Sequence, residues 1–179
     1  MDAAARVLEL SETIPDFPKP GILFRDLTPA FADPTTFRAV VDELAHSIDG
    51  GFDVVAGIEA RGFLLASALA YSTNTHLLAI RKEGKLPGDV IREEYALEYG
   101  TAALELKPSS IPARSRVLVV DDVLATGGSC LAAARLIERA GSDIAGFGIV
   151  MALDGLGGVE ALTGYELRVL LHEPTDPLA

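Results

Sequence analysis

Cysteine, histidine and positive charge are scarce in this chain of 179 residues, and each shortage excludes a class of protein. Cys130 is the single cysteine, so the chain forms neither an intrachain disulfide nor a zinc site built from cysteine thiolates. The three histidines are far apart in sequence, and none has a partner at the spacing of metal ligands. Because Asp and Glu outnumber Lys and Arg by 26 to 15, the net charge of −11 argues against nonspecific binding of nucleic acid.

Long apolar runs are absent as well. No stretch approaches the about 18 consecutive apolar residues of a membrane-spanning helix, and residues 1–6 lack the basic and then apolar pattern of a signal peptide. With 49% hydrophobic and 23% charged residues, the composition is that of a globular protein with a sizeable core. We therefore expect one cytoplasmic domain over residues 1–179, with neither a membrane nor a nucleic acid as partner.

The most informative segment is residues 116–130, which read RVLVVDDVLATGGSC. Residues 117–120 are too few and too β-branched for a helix, so they predict a strand buried on both faces, from which the chain emerges at Asp121. Gly127 and Gly128 let the backbone approach a ligand closely, and the helix predicted to follow offers free N–H groups to an anion. The two adjacent carboxylates do not suit a phosphate, but they suit sugar hydroxyls, directly or through a divalent cation. The segment therefore predicts a site for a phosphorylated sugar.

Motifs for other nucleotide ligands are missing. The chain has no Walker loop with its lysine, and no Gly-x-Gly-x-x-Gly turn follows a predicted strand. Both absences argue against an NTPase and against a dinucleotide-binding domain. The plain alternative for the segment, an acidic turn before a capped helix, does not account for the order of its residues.

A cluster of cations follows the strand predicted at residues 77–80. Arg81, Lys82 and Lys85 place three positive charges within five residues, in a stretch that Gly84 and its neighbours mark as a loop. An acidic protein that binds an anionic sugar must concentrate its cations locally. The cluster therefore favours an anion-binding loop over the alternative, a solvated basic turn.

Strand and helix patterns alternate along the chain. The predicted elements are a helix at 34–48, a strand at 53–58, a helix at 62–70, strands at 77–80 and 117–120, a helix at 128–140 and a strand at 144–153. This alternation predicts an α/β fold with a mostly parallel twisted sheet flanked by helices. Residues 83–114 contain Gly, Pro and charged residues around a weak strand-like alternation at 95–100 and 103–106. This pattern predicts a flexible hairpin lid that reaches out from the sheet.

Three loops are predicted to meet in one cleft. Ligands of such sheets bind outside the carboxyl ends of the strands. Residues 59–61, 81–85 and 121–129 each follow a predicted strand at that end. They are distant in sequence, and the fold would bring them together.

Residues 117–129 resemble the motif with which type I phosphoribosyltransferases bind 5-phosphoribosyl-1-pyrophosphate (PRPP). Over residues 17–158, the chain is similar to the adenine phosphoribosyltransferases of that group. The similarity is carried by residues 17–26, residues 59–63, residues 81–100 and the PRPP motif. One departure is visible, because the family usually has Phe-Gly where this chain has Leu65 and Ala66.

The resemblance implies the type I phosphoribosyltransferase fold and the reaction of adenine with PRPP to give AMP and pyrophosphate, in a homodimer. Mg²⁺ would accompany the pyrophosphate, with Asp121 and Asp122 as its possible protein ligands, and residues 1–33 would form a small base-recognition segment. The implied catalytic residues are Glu98, Asp121 and Asp122. The 5′-phosphate is assigned to Ala125, Thr126, Gly127, Gly128 and Ser129. Pyrophosphate is assigned to Arg61, Arg81, Lys82 and Lys85. Adenine is assigned to Leu23, Phe24, Arg25 and Leu153.

Several alternatives stay open. Glu98, implied to manage a proton of adenine, could instead be a solvated carboxylate of the hairpin, and Phe24 could be an ordinary core aromatic. Hypoxanthine or xanthine could replace adenine as the substrate. A regulator that senses PRPP would keep the same loop, but it needs a basic face or a DNA-binding module, and the sequence shows neither.

Overall fold

The computed structural model describes residues 2–17, 20, 23–46, 48–96 and 100–174, and a seven-stranded sheet forms its centre. The strands are β1 (Glu12–Pro15), β2 (Leu23–Asp26), β3 (Val54–Ile58), β4 (His76–Lys82), β5 (Ile91–Ala96), β6 (Thr101–Leu106), β7 (Arg116–Leu124), β8 (Asp143–Asp154) and β9 (Leu167–Pro174). The helices are α1 (Ala3–Leu10), α2 (Thr28–Ala32), α3 (Pro34–Ala45), α4 (Gly62–Thr73), α5 (Gly128–Arg139) and α6 (Gly158–Ala161). Among the described residues, no helix is both long and apolar enough to cross a membrane.

The large sheet has the strand order β5-β6-β4-β3-β7-β8-β9. Strands β4, β3, β7, β8 and β9 pair in parallel, while β5 and β6 join the edge in antiparallel pairing. The prediction of an α/β fold with a mostly parallel sheet is therefore confirmed. Strands β1 and β2 form a separate antiparallel pair in which Ile14 lies opposite Phe24.

Strand β7 is buried on both faces, as its β-branched sequence predicts. Val117 and Val119 belong to the core cluster on the face that α5 covers, and Leu118 and Val120 belong to the cluster under α3 and α4. All four side chains are fully buried. Helices therefore cover both faces of the sheet at its middle strand.

The prediction that β7 ends before Asp121 is wrong. The strand continues to Leu124 because β8 goes on pairing with it, up to Leu124 opposite Ala152. On its other side, pairing with β3 ends at Val120. The two carboxylates thus lie on a stretch of strand that has lost one neighbour, and the edge left open faces the carboxyl end of β3.

Helix bounds differ from the predicted ones by a few residues. Asp33 caps α3 by accepting from the Thr36 N–H at 2.8 Å, with proline at the first helical position, as the sequence indicates. The helix ends at Ala45, before the predicted residue 48. Helix α4 runs beyond the predicted residue 70 to Thr73, where Asn74 in a left-handed conformation ends it.

The base of the predicted hairpin belongs to the sheet. Strand β6 pairs with β4, with Lys82 opposite Leu104, and residues 103–106 are buried. Strand β5 lies outside it and is joined to α5 by ion pairs from Glu93 to Arg135 and Arg139. The second strand of the predicted lid is therefore part of the fold's framework, and movement of the hairpin stays a prediction.

Candidate active site

The carboxyl ends of β3, β4 and β7 surround a cleft of about 410 Å³. The residues that line the cleft are Glu59, Ala60, Arg61, Lys82, Asp121, Asp122 and Val123. Four of these residues come from the sequence-based assignment: Arg61, Lys82, Asp121 and Asp122. The fold thus brings together residues from three loops that are distant in sequence.

Two neighbouring carboxylates, Asp122 buried and Asp121 half-buried, form the floor of the cleft. The side chain of Asp122 is 6% exposed, and its Oδ2 lies 2.5 Å from Nε of Arg61. Asp121 Oδ1 accepts a hydrogen bond from the Asp122 N–H at 3.0 Å. Burial raises the pKa of Asp121 well above its usual range, and the neighbouring charge of Asp122 raises it further. Burial also raises the pKa of Asp122, against the opposing effect of Arg61.

The oxygen atoms of this pair suit Mg²⁺. Asp122 Oδ2 is buried and accepts no hydrogen bond of good geometry, although the Arg61 side chain is close to it. Among the described residues, no group of three or more metal-ligating side chains occurs. The protein would therefore supply one or two carboxylates and leave the remaining positions to substrate oxygens and water, which is how Mg²⁺ is commonly bound beside phosphates.

Glycines allow α4 to lie directly on the strands beneath the cleft. A Cβ on Gly62 would lie 2.8 Å from the Val120 carbonyl oxygen and 3.0 Å from Asp121 Oδ1. A Cβ on Gly57 would lie 2.8 Å from the Cβ of Ala66, which is fully buried with Leu65. The departure from the usual Phe-Gly therefore falls in the packing between α4 and the sheet, away from the cleft.

The basic loop is organised by Glu59, which the sequence-based assignment left out. Its Oε2 accepts from Arg81 Nε at 3.0 Å and from the Lys82 N–H at 2.8 Å. The Lys82 backbone hydrogen bond is the largest cause of a lowered pKa for Glu59, with Arg81 next among the lowering effects. The Arg81 guanidinium also lies 5.7 Å from the centre of the Phe63 ring. Lys85 is exposed on the turn beyond the lining of the cleft.

The predicted phosphate loop follows β7 directly, and α5 begins at Gly128. Gly127 precedes the helix with a φ of +80°, a conformation that favours glycine. A Cβ on Gly127 would lie 3.0 Å from the Cβ of Ala161, and one on Gly158 would lie 2.3 Å from the carbonyl oxygen of Ala125. Helix α6 therefore supports this loop from behind. Thr126 is exposed and Ser129 is half-buried.

The end of the hairpin covers the start of α5. The Ala96 carbonyl oxygen and the Tyr95 ring lie 3.2 and 3.3 Å from where a Cβ of Gly128 would be. Burial raises the pKa of Tyr95, and the charge of Asp121 adds to the effect. Glu98, the implied proton-transfer residue, lies outside the described residues.

The segment assigned to adenine lies beside the cleft. The Phe24 ring makes an edge contact with Phe17 at 5.1 Å, and its centre is 5.3 Å from the Arg61 guanidinium. Phe24 is half-buried and belongs to neither core cluster, which disfavours the alternative of an ordinary core aromatic. Leu153 is half-buried on β8, and the side chain of Leu23 lies outside the described residues. Arg25 forms an ion pair with Glu173 of β9.

Comparison with known proteins identifies the family. Residues 33–176 match the sequence model of a protein family, the phosphoribosyl transferase domain. The chain is 60% identical to an adenine phosphoribosyltransferase of Arthrobacter sp. (strain FB24), over 91% of this chain and 88% of the relative. It is 59% identical to that of Clavibacter michiganensis subsp. michiganensis, over 94% and 96% of the two chains. The chain belongs to the adenine phosphoribosyltransferase family.

Solved structures of adenine phosphoribosyltransferases share the fold. The crystal structure from Thermoanaerobacter pseudethanolicus superposes with a TM-score of 0.91 at 38% identity, covering 95% of this chain and 99% of that one. The structure from Saccharomyces cerevisiae, which is complexed with adenine and an imino-altritol bisphosphate, gives a TM-score of 0.87 at 35% identity over 94% and 98% of the chains. The predicted resemblance to adenine phosphoribosyltransferases and the predicted fold class are confirmed.

The sequence-based assignment missed residues that hold the assigned ones in place. Glu59 had a detectable signal, because it stands at the end of a predicted strand and two residues before Arg61. Glu173 had none, because β9 was not predicted and 148 residues separate it from Arg25. Gly158 likewise had no detectable signal in the sequence, because its role depends only on how closely its backbone approaches Ala125.

Proposed function

We propose that this protein transfers the 5-phosphoribosyl group from PRPP to adenine, giving AMP and pyrophosphate in purine salvage. The observation that carries the proposal is the carboxylate pair Asp121 and Asp122, with Asp122 set against Arg61 in a cleft and the phosphate loop beginning three residues further on. That arrangement fits a ligand with hydroxyls in its middle and phosphates at both ends. Family membership supports adenine as the base.

The reaction requires charge stabilisation on both sides of the ribose. Departure of pyrophosphate leaves a cation-like ribose, so carboxylates near the sugar and cations near the leaving group lower the barrier. Asp121 and Asp122 would bind the ribose hydroxyls from the floor of the cleft. Arg61 and Lys82 line the same cleft and would bind the pyrophosphate, together with Arg81 and Lys85 of the basic loop.

Mg²⁺ is proposed as the cofactor. When bound, it would neutralise charge on the pyrophosphate as the bond to ribose breaks. The protein atoms that suit it are the carboxylate oxygens of Asp121 and Asp122. Because ligation requires ionised carboxylates, metal binding would lower the pKa values that burial raises in the free protein.

The base would lie between β2 and Leu153. Backbone groups of Leu23, Phe24 and Arg25 would read the edge of adenine, with Leu153 on its opposite face. Glu98, which follows β5 in the sequence, would take up or hold the proton of adenine as N9 attacks the ribose. The phosphate loop, from Ala125 to Ser129, would present backbone N–H groups to the 5′-phosphate.

A panel of bases tests the proposal. Purified protein is incubated with PRPP, Mg²⁺ and either adenine, hypoxanthine, xanthine or guanine, and AMP, IMP, XMP and GMP are separated by chromatography. We expect AMP formation that depends on both PRPP and Mg²⁺, and little product from the other bases. Preferential formation of IMP, XMP or GMP would contradict adenine as the substrate, and no product from any base would contradict the activity itself.

We further propose that the protein is a homodimer. Leu64 and Tyr71 lie seven residues apart on α4 and are 52% and 91% exposed, and Leu77 of β4 is 51% exposed on the sheet face that carries α4. A second copy of the chain would cover these side chains. Sedimentation should show a dimer in the wild type and a monomer in Tyr71→Glu. A fully active wild-type monomer at assay concentration would contradict the proposal of a dimer.

The cytoplasmic location of the protein stays a prediction.

A further inference from the structure

Strand β2, which belongs to the proposed base site, is held to the rest of the fold by few backbone hydrogen bonds. Within the described part of the chain, it pairs with β1 alone, and neither strand belongs to the large sheet. Side-chain contacts add to this pairing in fixing the position of β2 beside the cleft. The Phe24 ring near Arg61 supplies one such contact, and Arg25 supplies another.

Arg25 binds the last strand of the sheet through a two-pronged ion pair. Its Nε lies 3.0 Å from both carboxylate oxygens of Glu173, and its Nη2 also donates to Oε1. The two side chains are only 21% and 22% exposed, so water screens the pair less than it screens a surface ion pair. The hydrogen bonds to Glu173 raise the pKa of Arg25, and the guanidinium stays charged at every working pH.

Glu173 stands beside the opposite wall of the base site. In the parallel pairing of β8 and β9, Glu173 lies directly opposite Leu153. Residues paired in this way project from the same face of the sheet, and their strands are about 4.8 Å apart. The ion pair thus joins two parts of the proposed base site. Arg25 belongs to the segment proposed to read the edge of the base, and Glu173 is the neighbour of Leu153, which is proposed to cover the face of the base.

We propose that Glu173 is a positioning residue that sets the separation of β2 from Leu153 and thereby selects adenine over 6-oxopurines. The inference rests on the proposed function. Adenine presents an amino donor at C6 and an acceptor at N1, whereas hypoxanthine presents an acceptor and a donor at those atoms. Backbone groups distinguish the two only while they are held at hydrogen-bonding distance, because a mismatched group must be left unpaired. A strand released from Glu173 would adapt to either base.

Variants of Glu173 separate this role from general stability. Glu173→Gln keeps the shape of the side chain but removes its charge and one strong acceptor. We expect the KM for adenine to rise about tenfold, the KM for PRPP to stay near the wild-type value, and the preference for adenine over hypoxanthine in kcat/KM to fall about tenfold. Glu173→Asp keeps the charge on a shorter side chain and should lose less than Glu173→Gln.

Strand β9 provides a matched control. Arg168 of the same strand forms an ion pair with Glu43 of α3 at 2.9 Å, away from the proposed base site. Glu43→Gln removes that pair and should leave both KM values and the base preference unchanged. If Glu173→Gln folds poorly by circular dichroism, Glu173→Asp serves in its place and should show the same changes in the KM for adenine and in base preference, at smaller size.

The outcomes are distinguishable. A folded Glu173→Gln with the wild-type KM for adenine and wild-type base preference would overturn the inference, as would an equal rise in both KM values. A folded Glu173→Asp that weakens the preference for adenine more than Glu173→Gln does would also overturn it. A wild-type protein that forms no AMP would instead overturn the proposed function.

Discussion

Replacing Gly158 with alanine tests whether α6 holds the phosphate loop in place. The added Cβ would lie 2.3 Å from the carbonyl oxygen of Ala125 and 2.9 Å from Cγ of Leu124. Real Cβ atoms essentially never approach other atoms to less than 3.0 Å, so the loop backbone must move away from α6. Ala125 is the first residue of the proposed phosphate loop, and its displacement should weaken the binding of PRPP.

Overpacking of this kind costs about 1–3 kcal/mol, and the gain from replacing a helical glycine by alanine is at most about 1 kcal/mol. The clash should therefore equal or exceed the gain, with a net loss of up to about 2 kcal/mol and a fall in Tm of up to about 8 °C. Because a displaced loop loses hydrogen bonds to the charged 5′-phosphate, each of which contributes about 1.5–3 kcal/mol, we expect the Kd for PRPP to rise at least about tenfold.

The neighbouring Gly157 offers a control. Its φ is +81°, but nothing lies within 4 Å of where its Cβ would be. Gly157→Ala should cost about 1 kcal/mol through its left-handed backbone and leave the Kd for PRPP unchanged. Scanning calorimetry gives Tm, and titration calorimetry gives Kd. Wild-type Tm and wild-type PRPP affinity in Gly158→Ala would refute the reasoning.

Three further predictions follow from single residues. Burial raises the folded-state pKa of Asp121, so ionisation of its carboxyl group favours the unfolded chain as the pH rises. Asp121→Asn should abolish AMP formation. Its melting temperature should exceed that of the wild type from about pH 4 upward and equal it at lower pH. Equal melting temperatures at neutral pH would contradict this. Burial raises the pKa of the Cys130 thiol, so Ellman's reagent should react slowly with native protein and rapidly in denaturant, and rapid native reaction would be the contrary result. Glu98→Gln should lower the single-turnover rate of AMP formation by roughly 10²-fold with PRPP affinity unchanged, and a wild-type rate would remove Glu98 from the catalytic residues.

The strand and the helix on either side of the phosphate loop could be predicted, because the apolar residues of the strand and the glycines before the helix each indicate a single type of structure. Residues 117–120 are apolar without a break, and only a strand covered on both faces buries all of them. Gly127 and Gly128 then mark the start of the helix. The continuation of the strand to Leu124 could not be predicted, because it depends on β8 remaining as a partner after β3 has ended.

The hairpin itself could be predicted, but the attachment of β6 to the sheet could not, because a buried charge disturbs the pattern of that strand. Glu105 is 7% exposed between two buried leucines, so β6 does not look like an interior strand in the sequence. The structure satisfies its carboxylate with the N–H of Gly84, at 3.1 Å. That partner belongs to the basic loop, and the pairing of β6 with β4 is what brings the two together.

The acidic composition raised the question of how the cleft attracts an anion, and the ion pairs supply an answer. Arg61 lies against Asp122, and Arg81 lies against Glu59, so each guanidinium is held in place before any ligand binds. A pyrophosphate would meet cations whose side chains have already lost most of their rotamer freedom, which reduces the entropy cost of binding. It would also have to compete with a carboxylate for each guanidinium. Mg²⁺ at Asp122, as proposed above, would weaken the competition for Arg61, and it would then help to admit the substrate as well as take part in the reaction.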